Sequence, residues 1–246
     1  MHDISILSEI GGRAYNQDSI MVSQKNGKYC IAVADGLGSY NGSEIASRVA
    51  VQYLVDWFNE NCDSEELFVK SSISSALMRA HNKIIEHKEA DMSISSSCTT
   101  IAFVVSDNTT SVMAHIGDTR IYEIKNGRIL YRSKDHSLAQ LAVERGEITA
   151  DQISTHKDQN KLLRVLGSDY FVDADISTDF FPLSKGDGFV VCTDGLWEYV
   201  KDKEFEELFE NKSTSSAKLN KLKELHDERA DFGCDNFSVA VFVKGE

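Results

Sequence analysis

The sequence predicts an α+β fold, with antiparallel β-structure and helices confined to different stretches of the chain. Three observations carry this. Asn26-Gly27 and Asn126-Gly127 each separate two strand-like runs by two residues, the strongest short-range hairpin signal, because such turns need positive φ at both positions. Residues 98–106, 111–115, 120–124 and 128–131 are four consecutive strand candidates, and consecutive hairpin strands make an antiparallel sheet. Residues 43–61 and about 65–87 instead repeat apolar side chains every three or four positions, as helices do.

Composition bounds the function. With 246 residues, one proline and scattered glycines, the chain reads as one domain over 1–246 with no linker. Hydrophobic residues make up 41%, enough for a core. The net charge of −13 argues against nucleic acid, which needs basic patches. No apolar run approaches the ~18 residues that span a membrane, and Met1-His2-Asp3 does not begin a signal peptide. Five cysteines (Cys30, Cys62, Cys98, Cys192, Cys234) are odd in number and unclustered, so free thiols in a reducing cytoplasm are expected and a zinc site is not.

In chain order, residues 4–10 alternate as a half-buried strand should, followed by strands at 19–23 and 29–35 around the first hairpin turn. The helix at 43–61 presents two apolar rows, Ile45-Val49-Trp57 and Ala46-Ala50-Leu54-Phe58, which must pack on a sheet. The second helix carries Leu67, Ile73, Leu77, Ala80 and Ile84. After the four consecutive strands come short helices at 137–146 and 149–154, strands at 173–178 and 188–193, and helices at 202–209 and 215–230. The last helix is heavily charged and reads as a solvated outer element. Residues 237–243 form the final strand, and His81, His87 and His156 read as surface residues.

The chemistry concentrates at element ends. The run Ile31-Ala32-Val33-Ala34 ends on Asp35-Gly36, and Gly42-Ser43 then opens a helix. One Asp-Gly at a strand end is usually a turn, but the device repeats at Asp194-Gly195 after 189–193 and at Asp235 before 237–243. Asp18 and Asp118 also stand at strand boundaries. Distant carboxylates gathered at one sheet rim repel unless cations neutralise them, and oxygen-only donors suit Mg²⁺ or Mn²⁺. Arg13, on the Gly11-Gly12 turn, reads either as a solvated surface group or as a bidentate clamp for phosphate.

These motifs together resemble the metal-dependent serine/threonine protein phosphatases of the 2C type, most closely the bacterial ones. The resemblance runs through Gly12-Arg13-x-x-Asn16-Gln17-Asp18-Ser19, Val33-Ala34-Asp35-Gly36-Leu37-Gly38, Cys98-Thr99-Thr100 and His115-Ile116-Gly117-Asp118-Thr119-Arg120. It continues through Asp135-His136-Ser137, Arg164-Val165-Leu166-Gly167, Thr193-Asp194-Gly195-Leu196-Trp197 and Asp235-Asn236-Phe237-Ser238, most of the chain in family order. It implies a four-layer αββα sandwich, two stacked antiparallel sheets with helices on both outer faces. It implies hydrolysis of phosphoserine and phosphothreonine in proteins by a water activated between two Mn²⁺ or Mg²⁺ ions. Asp35 would bridge both ions, with the Gly36 carbonyl on one; Asp194 and Asp235 would complete the shell of the first ion, and Asp18 would serve the second, largely through water. Asp118 matches the position of a third, weaker ion. Arg13 would hold the substrate phosphate, His136 would be structural, and residues 137–167 match a flap beside the active site.

The implied partners are a serine/threonine kinase and its targets, for a monomeric cytoplasmic phosphatase. The departures are Leu37, Ser39 and Tyr40, where bacterial relatives usually carry methionine, glycine and histidine, and Glu198 and Ser238, where aspartate and threonine are frequent. None removes an expected ligand. A catalytically silent binding protein on the same fold should have lost Asp35, Asp194 or Asp235, and this chain keeps all three. Hydrolysis of another phosphate ester is the remaining alternative.

Overall fold

Asn26 and Gly27 both have positive φ (51° and 76°), as do Asn126 and Gly127 (51° and 69°), so each pair closes a tight hairpin. In the computed structural model of the protein, residues 3–37, 42–171 and 173–245 are described. Ser39 and Tyr40 lie outside them. The first hairpin joins β2 (Asp18–Lys25) to β3 (Lys28–Asp35). The second joins β6 (Arg120–Lys125) to β7 (Arg128–Arg132). With β1 (Asp3–Glu9), β4 (Ile101–Ser106), β5 (Ser111–Ile116), β8 (Asp175–Asp179), β9 (Gly188–Cys192) and β10 (Phe237–Val243), they build two five-stranded sheets. One runs β1-β10-β9-β6-β7 and the other β2-β3-β4-β5-β8, antiparallel at every pairing.

The central strands are apolar on both faces because both faces are covered. Along β3, Ile31 and Val33 point between the sheets with Val104, Phe189, Val191 and Phe242. Cys30, Ala32 and Ala34 point outward beneath α1 (Ser43–Asn61) and α2 (Lys70–Ala90). The other sheet is covered by α5 (Asp202–Glu210) and α6 (Ser215–Asp227) through Phe205, Phe209 and Leu222. Each such fully buried side chain contributes on the order of 1.5–3 kcal/mol of burial free energy.

Several elements depart from the sequence reading. The second helix is broken: a 3₁₀ turn over Glu65–Phe68, capped by the Ser64 side chain, ends at extended Val69 before α2 begins. On α1 the row Ala46-Ala50-Leu54-Phe58 is buried, but its neighbour is Ser47-Val51-Val55, and Ile45, Val49 and Trp57 are only half-buried. His81 is a buried residue, not a surface one: its Nδ1 accepts the Gly167 N–H at 3.2 Å. In charged α6, Lys218 is buried because its Nζ donates to the carbonyls of Leu208 and Asn211, both at 2.6 Å, which close the end of α5. The four consecutive strands divide between the sheets, since β4 and β5 pair in one and β6 and β7 in the other. The chain changes sheets at Gly117-Asp118-Thr119. Gly117 makes that change at φ 101°, and a Cβ there would stand 2.5 Å from the Thr100 methyl.

Candidate active site

Topology decides where the carboxylates meet. Asp18 begins β2 and Asp35 ends β3, and the hairpin register sets them directly opposite each other. The turn after β5, the end of β9 and the start of β10 come to the same end of the stacked sheets. They bring Asp118, Asp194 and Asp235 to a cavity of about 720 Å³ that Asp35 and Arg13 also line. Asp18 is buried alongside, its Oδ2 accepting from Thr193 Oγ1 at 2.9 Å. Asp194 opens α4 (Asp194–Trp197), a short helix absent from the sequence reading, which ended the strand at Thr193. Gly36 continues β3, and only glycine fits there, since a Cβ would stand 2.4 Å from the Ser43 carbonyl oxygen.

The backbone of Asp35 is held from three directions. Its N–H donates to Thr100 Oγ1 at 2.9 Å, and its carbonyl accepts from Thr99 Oγ1 and Thr100 N, both at 2.8 Å. Asp118 is fixed through its carbonyl, which accepts the Trp197 indole N–H at 2.9 Å. Arg120 stacks over that indole at 3.6 Å and donates to both oxygens of Asp135 at 2.8 and 2.6 Å. Arg13 pairs with Asp235, Nη2 to Oδ2 at 2.6 Å, and both side chains remain partly exposed.

Burial dominates the electrostatics. It pushes Asp18 and Asp118 up to about 7, and for Asp118 the nearby Asp135 adds to it. Burial, followed by Asp194 and Asp18, drives Asp35 well above the usual carboxylate range. Asp194 is driven up by burial and then by Asp118 and Glu198. One oxygen on each of Asp18, Asp118 and Asp194 is buried without a hydrogen-bond partner. Unpartnered hard oxygens whose mutual repulsion suppresses ionisation are what a site for hard divalent cations consists of without them. The donor set therefore fits such ions.

Sequence reasoning gave Glu198 no role. It sits four residues after Asp194, and its N–H donates to the Asp194 carbonyl at 3.0 Å, so one helical turn puts both carboxylates on the same face. Burial and then Asp235 raise it to about 7. Its Oε1 accepts from Gln159 Nε2 at 2.7 Å. The i,i+4 spacing was a usable signal; Gln159 had none. Gln159 belongs to the 137–167 segment, made of α3 (Leu138–Glu144), a 3₁₀ stretch over Ala150–Thr155 and turns. That segment borders the cavity with Asn160, Lys161, Leu162 and Val165.

Among the described residues, one group of three metal-ligating types brings its donor atoms within 4.8 Å: His115, His136 and Asp175. Its hydrogen bonds oppose metal binding. His136 Nδ1 accepts the Gly117 N–H at 3.2 Å, which leaves the proton on Nε2, facing Asp175 at 3.3 Å and Arg164 at 3.4 Å. With the Arg164 guanidinium beside it and the His136 lone pair already engaged by the Gly117 N–H, this group reads as a link between the 137–167 segment and the sheets.

Comparison with known proteins agrees with this geometry. The family profile described as Protein phosphatase 2C matches residues 8–227. The chain belongs to the protein phosphatase 2C family. The serine/threonine phosphatase stp of Listeria monocytogenes serotype 4b is 30% identical over 212 residues, covering 85% of this chain and 82% of that protein. Among solved structures, the serine/threonine phosphatase Stp1 from Staphylococcus aureus superposes with a TM-score of 0.89 at 22% identity, covering 100% of this chain and 96% of Stp1. The catalytic domain of the serine threonine protein phosphatase PstP, in complex with two manganese ions, superposes at 0.83 with 22% identity, over 100% of this chain and 99% of that one. At that identity the two structures establish the protein phosphatase 2C fold, αββα with antiparallel sheets, for this chain.

Proposed function

We propose that the protein is a phosphoprotein phosphatase that hydrolyses phosphoserine and phosphothreonine with the help of divalent cations. One observation carries this reading. Five aspartates, three of them buried and Asp35 half-buried with little or no counter-charge, converge beside a partly exposed arginine at one end of the sheet sandwich. Burying that many carboxylates costs stability, and the fold retains them where a phosphate could be met.

Asp35, Asp194 and Asp235 would hold one Mn²⁺ or Mg²⁺, with Asp35, the Gly36 carbonyl and Asp18 at a second and Asp118 at a third. PstP, of the same fold, binds two manganese ions. Bound there, the cations supply positive charge for the phosphate oxygens and lower the proton affinity of water enough for attack near neutral pH. The chain's own residues do the rest. The Arg13 guanidinium offers two parallel donors to the phosphoryl oxygens, releasing Asp235 as it does so. Thr99 and Thr100 hold the backbone of Asp35, and the Trp197 indole holds that of Asp118, so both carboxylates project from fixed mounts.

The natural substrates would be proteins phosphorylated by a serine/threonine kinase, with that kinase among them. The 137–167 segment would act as the flap that admits them, within one domain over 1–246. Five free cysteines support a reducing, cytoplasmic setting, and no helix of the described residues is long and apolar enough to cross a membrane. We take the active form as a monomer, since all the proposed ligands come from one chain. The deciding experiment assays the purified protein on a phosphoserine protein, a phosphothreonine protein and a phosphotyrosine peptide, with Mn²⁺ and with EDTA. Turnover of the first two only, abolished by EDTA, is expected; full turnover in excess EDTA would falsify the reading.

A further inference from the structure

Arg13 borders two openings. One is the carboxylate cavity, whose lining beyond the aspartates is mainly polar, with Lys88, Ser95, Asn160, Lys161 and Asp169 beside Leu162 and Val165. The other is a groove of about 550 Å³ between the end of β1 and the loop from α6 to β10, bordered by Ile10, Ala230, Phe232 and Phe237. Phe232 is 103% exposed and Ile10 44%, so an aromatic ring stands at the lip of the groove with no covering from its own chain. Lys223 stands 3.6 Å from Glu9 and 3.2 Å from Asp227, and Asp231 adds a further carboxylate, so the rim is acidic.

The two openings are rigidly joined. The Gly12 N–H donates to the Cys234 carbonyl at 2.9 Å. A Cβ at Gly12 would stand 2.2 Å from the Phe232 carbonyl oxygen, and one at Gly11 would stand 2.2 Å from that of Asp235. The loop that carries Arg13 and the loop that carries Phe232 therefore pack backbone against backbone. The backbone positions from which Arg13 and Phe232 project are set by the fold.

We propose that this groove docks the polypeptide flank of the phosphorylated substrate and takes an apolar side chain within a few residues of the phosphoresidue. The proposal rests on the phosphatase reading. A polypeptide whose phosphate lies at Arg13 must leave the site in two directions, advancing about 3.3 Å per residue. One direction crosses the polar rim beside residues 160–169, and the other crosses Phe232. The second direction favours an apolar flank: covering Phe232 and Ile10 removes apolar surface from water, whereas the net charge of −13 disfavours an acidic one.

The test uses phosphoserine peptides that are identical except for leucine, serine or aspartate at each of four positions on either side of the phosphoserine. p-Nitrophenyl phosphate, which has no flank, serves as control. The wild-type protein should prefer leucine on one side by about tenfold in kcat/KM, the share expected from partly burying one such side chain. Phe232→Ser should abolish that preference through KM while leaving p-nitrophenyl phosphate kinetics and Mn²⁺ dependence unchanged, and Ile10→Ser should reduce it. Equal rates for all the flanks in wild type, or a preference that survives in Phe232→Ser, overturns the groove and leaves the phosphatase reading standing. Absence of turnover on every substrate with Mn²⁺ overturns both. A concentration-dependent dimer that Phe232→Ser dissociates would make the groove a self-interface and likewise overturn the proposal.

Discussion

Two groups of buried aspartates lie within a few residues of each other in this fold and do opposite things. Asp135 is buried against Arg120, which grips both of its oxygens and is itself stacked on Trp197. Asp18, Asp118 and Asp194 are buried with one oxygen each that has no partner, half-buried Asp35 stands with them, and desolvation raises the pKa of all four. Burial is common to both groups; the counter-charge is not. A buried carboxylate with a fixed cation is part of the scaffold, whereas buried carboxylates without one form a site that a ligand must complete.

The sharpest way to break this comparison is the same kind of substitution in both groups. Asp35→Asn or Asp194→Asn should lower turnover at least ~100-fold, as expected when several kcal/mol of cation-derived stabilisation are lost. The cation-free variant should nonetheless melt a few degrees higher, by about 1 kcal/mol, because a repelling charge is gone. Asp135→Asn should do the reverse and destabilise by roughly 3–5 kcal/mol, since it strands the Arg120 cation in the interior. Melting curves in EDTA check both signs. If the two variants shift in the same direction, the distinction fails.

Arg13 carries the next largest effect. Its pair with Asp235 is partly exposed, unlike that of Arg120, so it can exchange partners. Arg13→Ala should raise KM for phosphoprotein about 10- to 100-fold, the equivalent of one or two charged hydrogen bonds, with Mn²⁺ affinity nearly unchanged. Lysine should restore only part of the binding, because it offers a point charge in place of a planar fork.

A third test uses pH. In the cation-free protein, Asp18 and Asp118 are raised to about 7 from an ordinary value near 3.8. Between those values the folded state binds more protons than the unfolded chain, so stability falls as pH rises from about 4 to about 7. The melting temperature in EDTA should therefore decline across that window, and saturating Mn²⁺ should flatten the decline. A flat profile in EDTA would mean that these carboxylates already have counter-charges.

The smallest expected effect is at the Gln159–Glu198 hydrogen bond. Gln159→Leu should change KM for phosphoprotein by no more than about threefold, consistent with one hydrogen bond of ~0.5–1 kcal/mol. It should leave p-nitrophenyl phosphate hydrolysis unchanged. A large effect on both substrates would move Gln159 from the flap into the cluster itself.

Much of this was legible in the sequence because it is local. Turn chemistry at Asn26-Gly27 and Asn126-Gly127 and the alternation within strands depend on neighbouring residues, and so does the standing of Asp18, Asp35, Asp118, Asp194 and Asp235 at element boundaries. The sequence determined by itself that five carboxylates would stand at strand boundaries and an arginine on the Gly11-Gly12 turn, in the order of the protein phosphatase 2C family. Tertiary structure alone decided which sheet each strand joins, with the change of sheets at Gly117-Asp118, and that His81 and Lys218 are interior. It also decided the partners: Arg120 for Asp135, Arg13 for Asp235, Gln159 for Glu198, and none for one oxygen each of Asp18, Asp118 and Asp194 among the described residues. The reason is that desolvation and pairing are set by segments more than two hundred residues away in the chain, as with Arg13 and Asp235. Spacing along the chain fixes where a charge is mounted, and only packing fixes what surrounds it.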